Sequence, residues 1–209
     1  MIGEKKLDIS IAIVNWNTQD ILKDCIQSII DSKCKYDYEI IVVDNNSSDS
    51  SIDMVKSDFP YVKLIENKEN LGFAKANNQA YEIAQGRWFY LLNSDTIIGE
   101  HSLDKLLEFA ERTPKCGVVG PTVLNRDGSI QPSWARFLSI YSELKGQLDR
   151  RISGKDYIPS SKEQIQNMGP FQTDWIGGCS MLVRKEAADK IGLLDDSLFM
   201  YSEETDLCK

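Results

Sequence analysis

The sequence predicts an α/β fold with a mostly parallel, doubly wound sheet and helices on both of its faces. Short, continuous apolar runs, which are typical of strands buried on both sides, alternate with segments whose apolar residues recur at helical spacing. Polar turns rich in Asn, Asp and Ser follow those runs. Regular alternation of strand and helix favours parallel strands joined by helical crossovers.

The elements follow in order along the chain. We expect strands at 9–14, 39–43, 62–65, 88–92 and 117–123, and helices at 21–30, 51–58, 73–84 and 102–112. A turn is expected at 125–128, a loop-rich excursion at 132–170, and renewed order at 175–184 before a short helix from Lys185. Residues 199–209 end in the opening turn of a helix with no stop signal, which predicts a truncated chain.

Composition excludes several functional classes. The 32 acidic and 24 basic residues give a net charge of -8, which argues against a broad nucleic-acid or anionic-lipid footprint. His101 is the only histidine, so a histidine-based zinc site or a Ser-His-Asp system is not expected, and catalysis must rest on carboxylates. Five scattered cysteines and a short N-terminal apolar run predict a soluble, cytoplasmic chain with reduced thiols.

Polar side chains follow four of the predicted strands. Ligands of open α/β sheets bind beyond the carboxyl ends of the strands, so these turns predict a binding site. Asp44 is placed to accept hydrogen bonds from a nucleobase or a ribose, and Asp95 to hold Mg²⁺ or Mn²⁺. The alternative is that these residues simply form turns and helix caps. The four turns are Asn15 to Asn17, Asp44 to Asp49, Asn67 to Asn70, and Asn93 to Asp95.

Three further features have both a functional and a structural interpretation. Trp175, Gly177 and Gly178 would allow the backbone and an indole to approach a sugar, or else form a bulge in ordinary core packing. Lys75 would balance a pyrophosphate, or be a solvated surface lysine. The acidic run from Glu203 to Asp206 would contribute to catalysis, or be a helix start favoured by the helix dipole.

Taken together, the motifs resemble family 2 of the glycosyltransferases, most closely its rhamnosyltransferase-like members. The resemblance covers nearly the whole chain except about 132–172, and the motifs are specific as a set although none is specific alone. They are Val14-Asn-Trp-Asn17, Val-Val-Asp44-Asn-Asn-Ser-Ser-Asp49, Asn70-Leu-Gly-Phe-Ala74, Leu-Leu-Asn-Ser-Asp95-Thr, Trp175-Ile-Gly-Gly-Cys-Ser-Met-Leu-Val-Arg184 and Phe199-Met-Tyr-Ser-Glu-Glu-Thr-Asp-Leu-Cys208.

The resemblance implies a GT-A fold and a set of roles. Asp44 would contact the base and ribose, and the segment from Asn93 to Asp95 would occupy the place of the family's Asp-x-Asp type metal motif. Glu204 would be the catalytic base, with Glu203 as the alternative and Asp206 beside them. The remaining donor-side residues would be Asn15, Asn17, Asn70, Lys75 and Ser94. The chain departs from the family at Asn93, which leaves Asp95 as the only carboxylate metal ligand, and at Glu203-Glu204, where Glu-Asp is usual.

We therefore expect a single GT-A domain, with residues 1–123 binding the nucleotide sugar and residues 124–209 carrying the acceptor and catalytic side. The expected reaction is inverting transfer from dTDP-rhamnose or a UDP-sugar to a glycan or lipid-linked hydroxyl in cell-surface polysaccharide synthesis. Peripheral membrane association of a longer protein stays open. The alternatives are a non-catalytic nucleotide-sugar-binding fragment, a sugar nucleotidyltransferase and, ranked lowest, a glycoside hydrolase.

Overall fold

The computed structural model describes residues 7–137, 167, 169–198 and 202–209. Its helices are α1 (Gln19–Asp31), α2 (Ser51–Asp58), α3 (Gly72–Ile83), α4 (Ser102–Arg112), α5 (Lys185–Ile191) and α6 (Glu203–Leu207). Its strands are β1 (Ile9–Asn15), β2 (Tyr38–Asp44), β3 (Lys63–Glu66), β4 (Trp88–Asn93), β5 (Val118–Val119), β6 (Val123–Leu124), β7 (Ile130–Gln131), β8 (Trp134–Ala135), β9 (Trp175–Ile176) and β10 (Ser180–Arg184).

The main sheet has six strands in the order β3-β2-β1-β4-β10-β5. β1 pairs in parallel with β2 and β4, and β2 with β3, whereas β10 runs antiparallel to both of its neighbours. The predicted mostly parallel, doubly wound sheet is confirmed. Because the registers place Asn15 opposite Asp44 and Val14 opposite Asn93, the polar turns after β1, β2 and β4 leave the sheet at one edge.

Alternating residues of β1 divide the core into two layers. Ile9, Ile11 and Ile13 pack with α1, α2 and α4 on one face, while Ala12 packs with α3 and α5 on the other. This alternation is the period of a strand buried on both sides. The α3 face presents small residues to the sheet, namely Ala74, Ala76 and Ala80.

The predicted strand at 117–123 is wrong as a single element. It is divided into β5 and β6 by Gly120-Pro121, since proline has no N–H for a strand ladder. A Cβ at Gly120 would lie 2.5 Å from Ile176 Cγ2, so Gly120 admits a close neighbour at this break. The predicted turn at 125–128 is confirmed as the β6–β7 hairpin, in which Gly128 has φ 82° and its N–H donates to the Asn125 carbonyl at 2.8 Å.

The segment 175–184 contains two strands that belong to different sheets. β9 pairs with β8 outside the main sheet, β10 enters it, and Gly177 and Gly178 separate them. The loop-rich excursion at 132–170 falls largely outside the described residues, and the C-terminal helix predicted within 199–209 is confirmed as α6. Across the described ranges, no helix is both long enough and apolar enough to cross a membrane.

Candidate functional site

A buried hydrogen-bond network joins the turns after β1 and β2. The Asn15 amide donates to Asp44 Oδ2 at 2.8 Å and to Ser47 Oγ at 3.1 Å. Ser47 donates to Asp44 twice, from its N–H at 2.8 Å and from its hydroxyl at 2.6 Å. Asp44 therefore accepts three hydrogen bonds from the protein. Since a carboxylate has about four acceptor positions, these bonds leave one that no described residue fills, although Asp44 is only 1% exposed.

Asn17 ties the same two turns together at the surface. Its backbone has φ 54°, its N–H donates to Ser47 Oγ at 2.9 Å, and its side-chain oxygen accepts the Ser48 N–H at 2.7 Å. Thr18 is the N-cap residue of α1 but makes no side-chain cap bond. Instead the Asp49 carboxylate accepts the Gln19 N–H at 3.0 Å, a cap from a distant loop.

Trp16 is a candidate site residue that was not predicted from the sequence. Its side chain is 56% exposed, although it lies between Asn15 and Asn17 at the end of the central strand. An exposed indole is a flat apolar surface suited to stacking against a ring. The signal was present in the sequence as an aromatic residue within an otherwise polar strand-end turn.

The turn before α3 is held to the Asp44 turn by amide side chains. Asn45 donates to the Gly72 carbonyl at 3.1 Å, and Asn67 donates to the Asn45 side-chain oxygen at 2.9 Å. Asn70 accepts the Gly72 N–H at 2.9 Å, so it shapes the start of α3, where Gly72 has φ 81°. Lys75 on the same helix is exposed and has no ion pair with another described residue.

The turn after β4 carries the predicted metal carboxylate. The Asn93 N–H donates to the Cys179 carbonyl at 3.0 Å, and Ser94 Oγ lies 3.3 Å from Thr18 Oγ1. Asp95 is exposed and, with Asn93 and Cys179, lines a cleft of about 630 Å³.

The donor atoms in this turn suit a hard cation only in part. They are oxygens of one carboxylate, one amide and one hydroxyl, which are the ligand types that Mg²⁺ and Mn²⁺ take. No group of three His, Cys, Asp or Glu side chains placed to hold a metal ion exists among the described residues. The arrangement fits an ion that a substrate phosphate and water would largely coordinate, with Asp95 as the protein carboxylate.

Cys179 connects the Asp95 turn to α6. Burial raises the pKa of the Cys179 thiol, and the negative charges of Asp95 and then of Glu204 raise it further. Both carboxylates therefore lie within electrostatic reach of one side chain. The Gly178-Cys179 segment contacts both regions, because the Cys179 carbonyl accepts the Asn93 N–H at 3.0 Å and a Cβ built at Gly178 would lie 3.9 Å from Glu204 Cβ.

The three acidic residues of α6 differ in their surroundings. Glu203 is only 4% exposed, and its Oε2 has no hydrogen-bond partner within the described ranges. Burial raises the pKa of the Glu203 carboxyl, and the negative charge of Glu204 adds to this. Glu204 is half-buried and Asp206 is exposed. Of the two glutamates, Glu204 is the more exposed.

The predicted sugar-side residues occupy separate places. Trp175 lines a second cleft of about 270 Å³, together with Leu207 and Cys208, and does not line the cleft that contains Asp95. The Gly177 N–H donates to the Ser133 carbonyl at 2.8 Å. Gly178 lies close to the side chains of both Phe73 and Glu204.

Comparison with known proteins identifies relatives along most of the chain. Residues 10–192 match the family model described as "Glycosyl transferase family 2". The chain is 28% identical over 180 residues to the N-acetylglucosaminyl-diphospho-decaprenol L-rhamnosyltransferase of Mycobacterium tuberculosis, covering 80% of this chain and 59% of that protein. It is 36% identical over 110 residues to the poly(ribitol-phosphate) beta-glucosyltransferase of Bacillus spizizenii, covering 50% and 17% respectively.

Solved structures share the fold at low sequence identity. The mannosyltransferase PcManGT of Pyrobaculum calidifontis, solved with GDP-Man and Mn²⁺, has a TM-score of 0.66 at 16% identity, covering 97% of this chain and 51% of that one. S. aureus TarS 1-349 in complex with UDP has a TM-score of 0.66 at 14% identity, covering 97% and 54%. The GT-A fold is confirmed. The chain spans about three fifths of the mycobacterial relative and about half of each of these two solved chains.

Proposed function

The chain belongs to glycosyl transferase family 2, and on that premise we propose that it transfers a sugar from a nucleoside-diphosphate sugar to an acceptor hydroxyl with inversion. The observation that carries the proposal is that the Gly178-Cys179 segment contacts both Glu204 and, through the Asn93 N–H, the turn that holds Asp95. It supports one centre with a carboxylate for the leaving-group side and a carboxylate for the acceptor side.

The proposed donor is dTDP-rhamnose or a UDP-sugar. The rhamnosyltransferase relative supports the first and the UDP complex of a fold neighbour the second. We place the nucleobase and ribose at Asp44, whose fourth acceptor position faces no protein donor among the described residues, and against the exposed Trp16. Asn15, Asn17 and Asn70 would act mainly by shaping these turns, while the exposed Lys75 would remain available to the diphosphate.

In the proposed reaction, the acceptor oxygen attacks the anomeric carbon from the face opposite the nucleoside diphosphate. As the new carbon–oxygen bond forms, Glu204 takes the hydroxyl proton, and the bond to the diphosphate breaks with its electron pair leaving on the phosphate oxygen. Asp95, with Asn93 and Ser94 beside it, would hold Mg²⁺ or Mn²⁺, and the ion would supply Lewis-acid stabilisation of that leaving charge. Glu204 has the access that this role requires, which the buried Glu203 lacks.

For the acceptor we propose a glycan or lipid-linked hydroxyl in cell-surface polysaccharide synthesis at the cytoplasmic side of the membrane. The printed activities of the mycobacterial and Bacillus relatives support this class. A second candidate is a nucleotide-sugar-binding module that does not turn over its ligand. This second candidate is supported by coverage, since the match covers only 59% of the mycobacterial relative and the acceptor contacts of such a protein would then lie in its unmatched part.

Thermal unfolding with nucleotides tests the proposal. UDP, dTDP, UDP-glucose and dTDP-rhamnose are added with MnCl₂ or with EDTA. We expect a higher melting temperature only with the metal, because under the proposal the metal joins the diphosphate to Asp95. A ligand at about 100 times its Kd stabilises the native state by about 2.7 kcal/mol.

Asp95→Asn should remove the metal-dependent part of this shift, whereas Asp196→Asn makes the same change of charge at an exposed position outside the Asp95 cleft and should keep it. A shift that survives both EDTA and Asp95→Asn would refute the metal assignment. A larger shift with ATP or NADH would favour a different class of protein.

A further inference from the structure

Three segments that are distant in sequence meet at Gly178. A Cβ built at this position would lie 3.2 Å from Phe73 Cε1, 3.3 Å from Phe73 Cζ and 3.9 Å from Glu204 Cβ. Gly178 is not among the positive-φ residues, so its backbone conformation does not require glycine. What favours glycine here is space, because a Cβ would contact the Phe73 ring so tightly that the ring or the backbone would have to shift by a few tenths of an ångström.

We propose that Phe73 is a positioning residue for Glu204, and that it acts through the close contact at Gly178. The proposal rests on the role of Glu204 as the base under the proposed function. With no side chain at Gly178, the Phe73 ring and the start of α6 pack against the same short stretch of backbone. A shift of the backbone at Gly178 under pressure from the ring therefore changes the space that Glu204 occupies beside the β9–β10 turn.

Phe73 is itself anchored to the loops assigned to the nucleotide. It is the second residue of α3, and its carbonyl accepts the Asn77 amide at 3.0 Å. The preceding Gly72 is held at both polar atoms, by Asn70 at its N–H and by Asn45 at its carbonyl. The ring thus projects from one of the most firmly bonded turns at this edge of the sheet.

Helix α6 lacks comparable support of its own. It has only five residues, Ser202 makes no side-chain cap bond, and its N-cap backbone has φ 76°. A helix this short takes its position from tertiary contacts rather than from its own hydrogen bonds. Those contacts include Leu207 and Cys208, which pack against the same apolar cluster as Phe73. The position of Glu204 therefore depends on the surface that Phe73 and Gly178 form.

A double-mutant cycle tests this coupling. The measured quantity is the release of UDP from UDP-glucose, and of dTDP from dTDP-rhamnose, with MnCl₂ and water as the acceptor. Gly178→Ala should lower kcat about tenfold to a hundredfold, as displacements of up to 1 Å at a reacting group do. The KM for the donor should change little, because the nucleotide turns are untouched. Gly117→Ala is the control, since its new Cβ would only reach Ala187 Cβ at 4.0 Å.

Phe73→Leu supplies the other arm of the cycle. It shortens the side chain that the added methyl group of Gly178→Ala would strike, so the double variant should recover most of the lost kcat. Alone, Phe73→Leu should lower kcat severalfold with the KM unchanged, because Glu204 loses the surface that limits its movement. If the two residues act independently, the factors by which the single variants lower kcat will multiply in the double variant, and that result would overturn the proposal. A kcat for Phe73→Leu equal to that of the parent would also overturn it.

A crystal structure of Gly178→Ala gives a readout that does not need turnover. We expect Glu204 Cα to shift by a few tenths of an ångström relative to the parent. A ring that rotates away while Glu204 stays in place would overturn the positioning role. The proposed function fails separately, if Glu204→Gln releases the diphosphate as fast as the parent does.

Discussion

The turn after β2 and the helix α6 hold buried carboxylates in opposite ways. Asp44 is 1% exposed and accepts three hydrogen bonds from Asn15 and Ser47, whereas Glu203 is 4% exposed and has an oxygen without a partner within the described residues. The first arrangement is complete before any ligand arrives. The second leaves one carboxylate oxygen without a partner, beside the half-buried Glu204. The proposed nucleotide side is therefore held by internal hydrogen bonds, whereas the proposed catalytic side lies on a five-residue helix that depends on tertiary contacts.

Replacing the proposed base is the strongest way to test the catalytic side of this comparison. Glu204→Gln keeps the size of the side chain and should lower transfer about 10² to 10⁴-fold, the usual contribution of a general base. Nucleotide binding should persist, since the Asp44 network lies elsewhere. Initial rates and UDP titrations measure the two effects, with Glu186→Gln on the exposed face of α5 as the control. Full turnover by Glu204→Gln would move the base to another residue.

Breaking the Asp44 network should destabilise the fold. Asn15→Ala removes the donor to Asp44 Oδ2 and the acceptor of the Thr18 hydroxyl in a buried place. We expect the free energy of unfolding to fall by about 2–3 kcal/mol, as for a lost hydrogen bond to a charged group. Urea unfolding measures this, and Gln27→Ala on the exposed face of α1 should change it by only about 0.5 kcal/mol. Equal losses of unfolding free energy in Asn15→Ala and Gln27→Ala would show that the Asp44 network contributes nothing to stability.

The smallest expected effect concerns the pH dependence of stability at Glu203. Burial raises the pKa of this carboxyl above its ordinary value of 4.5, so the folded state retains its proton more strongly than the unfolded state does. Its contribution to stability is then greatest in acid and falls as the pH rises through the ordinary pKa toward the raised one. Glu203→Gln should remove that loss, and should melt slightly above the parent at pH 7 with the difference closing toward pH 4.

Glu186→Gln provides a control of opposite sign. A hydrogen bond from Lys190 lowers the pKa of the Glu186 carboxyl, so its contribution is present at neutral pH and is lost as the pH falls through the lowered value. Melting temperatures of the parent and both variants from pH 4 to pH 7 measure this. A Glu203→Gln variant that follows the Glu186→Gln trend would show that Glu203 is stabilised in its charged form.

The strand-end residues could be found from the sequence because their signal is local. An apolar run such as Ile9 to Val14 marks a buried strand, and the polar residues that follow it must leave the sheet at its carboxyl edge. The prediction of one strand at 117–123 was wrong because Gly120-Pro121 interrupts pairing in a run that otherwise looks continuous. The acceptor of the Gln19 N–H at the start of α1 could not be found from the neighbouring sequence, because Asp49 comes from another loop.

By itself the sequence determined the alternation of strands and helices from β1 to α4, the carboxyl edge as the place of the polar turns, and the family to which the chain belongs. These follow from periodicity and composition within windows of a few residues, and from the motifs at the strand ends. The antiparallel insertion of β10 between β4 and β5, the unequal burial of Glu203 and Glu204, and the narrow space beside Gly178 were decided only by the tertiary structure. Each depends on which atoms from distant parts of the chain share one space, and no local pattern of residues carries that information.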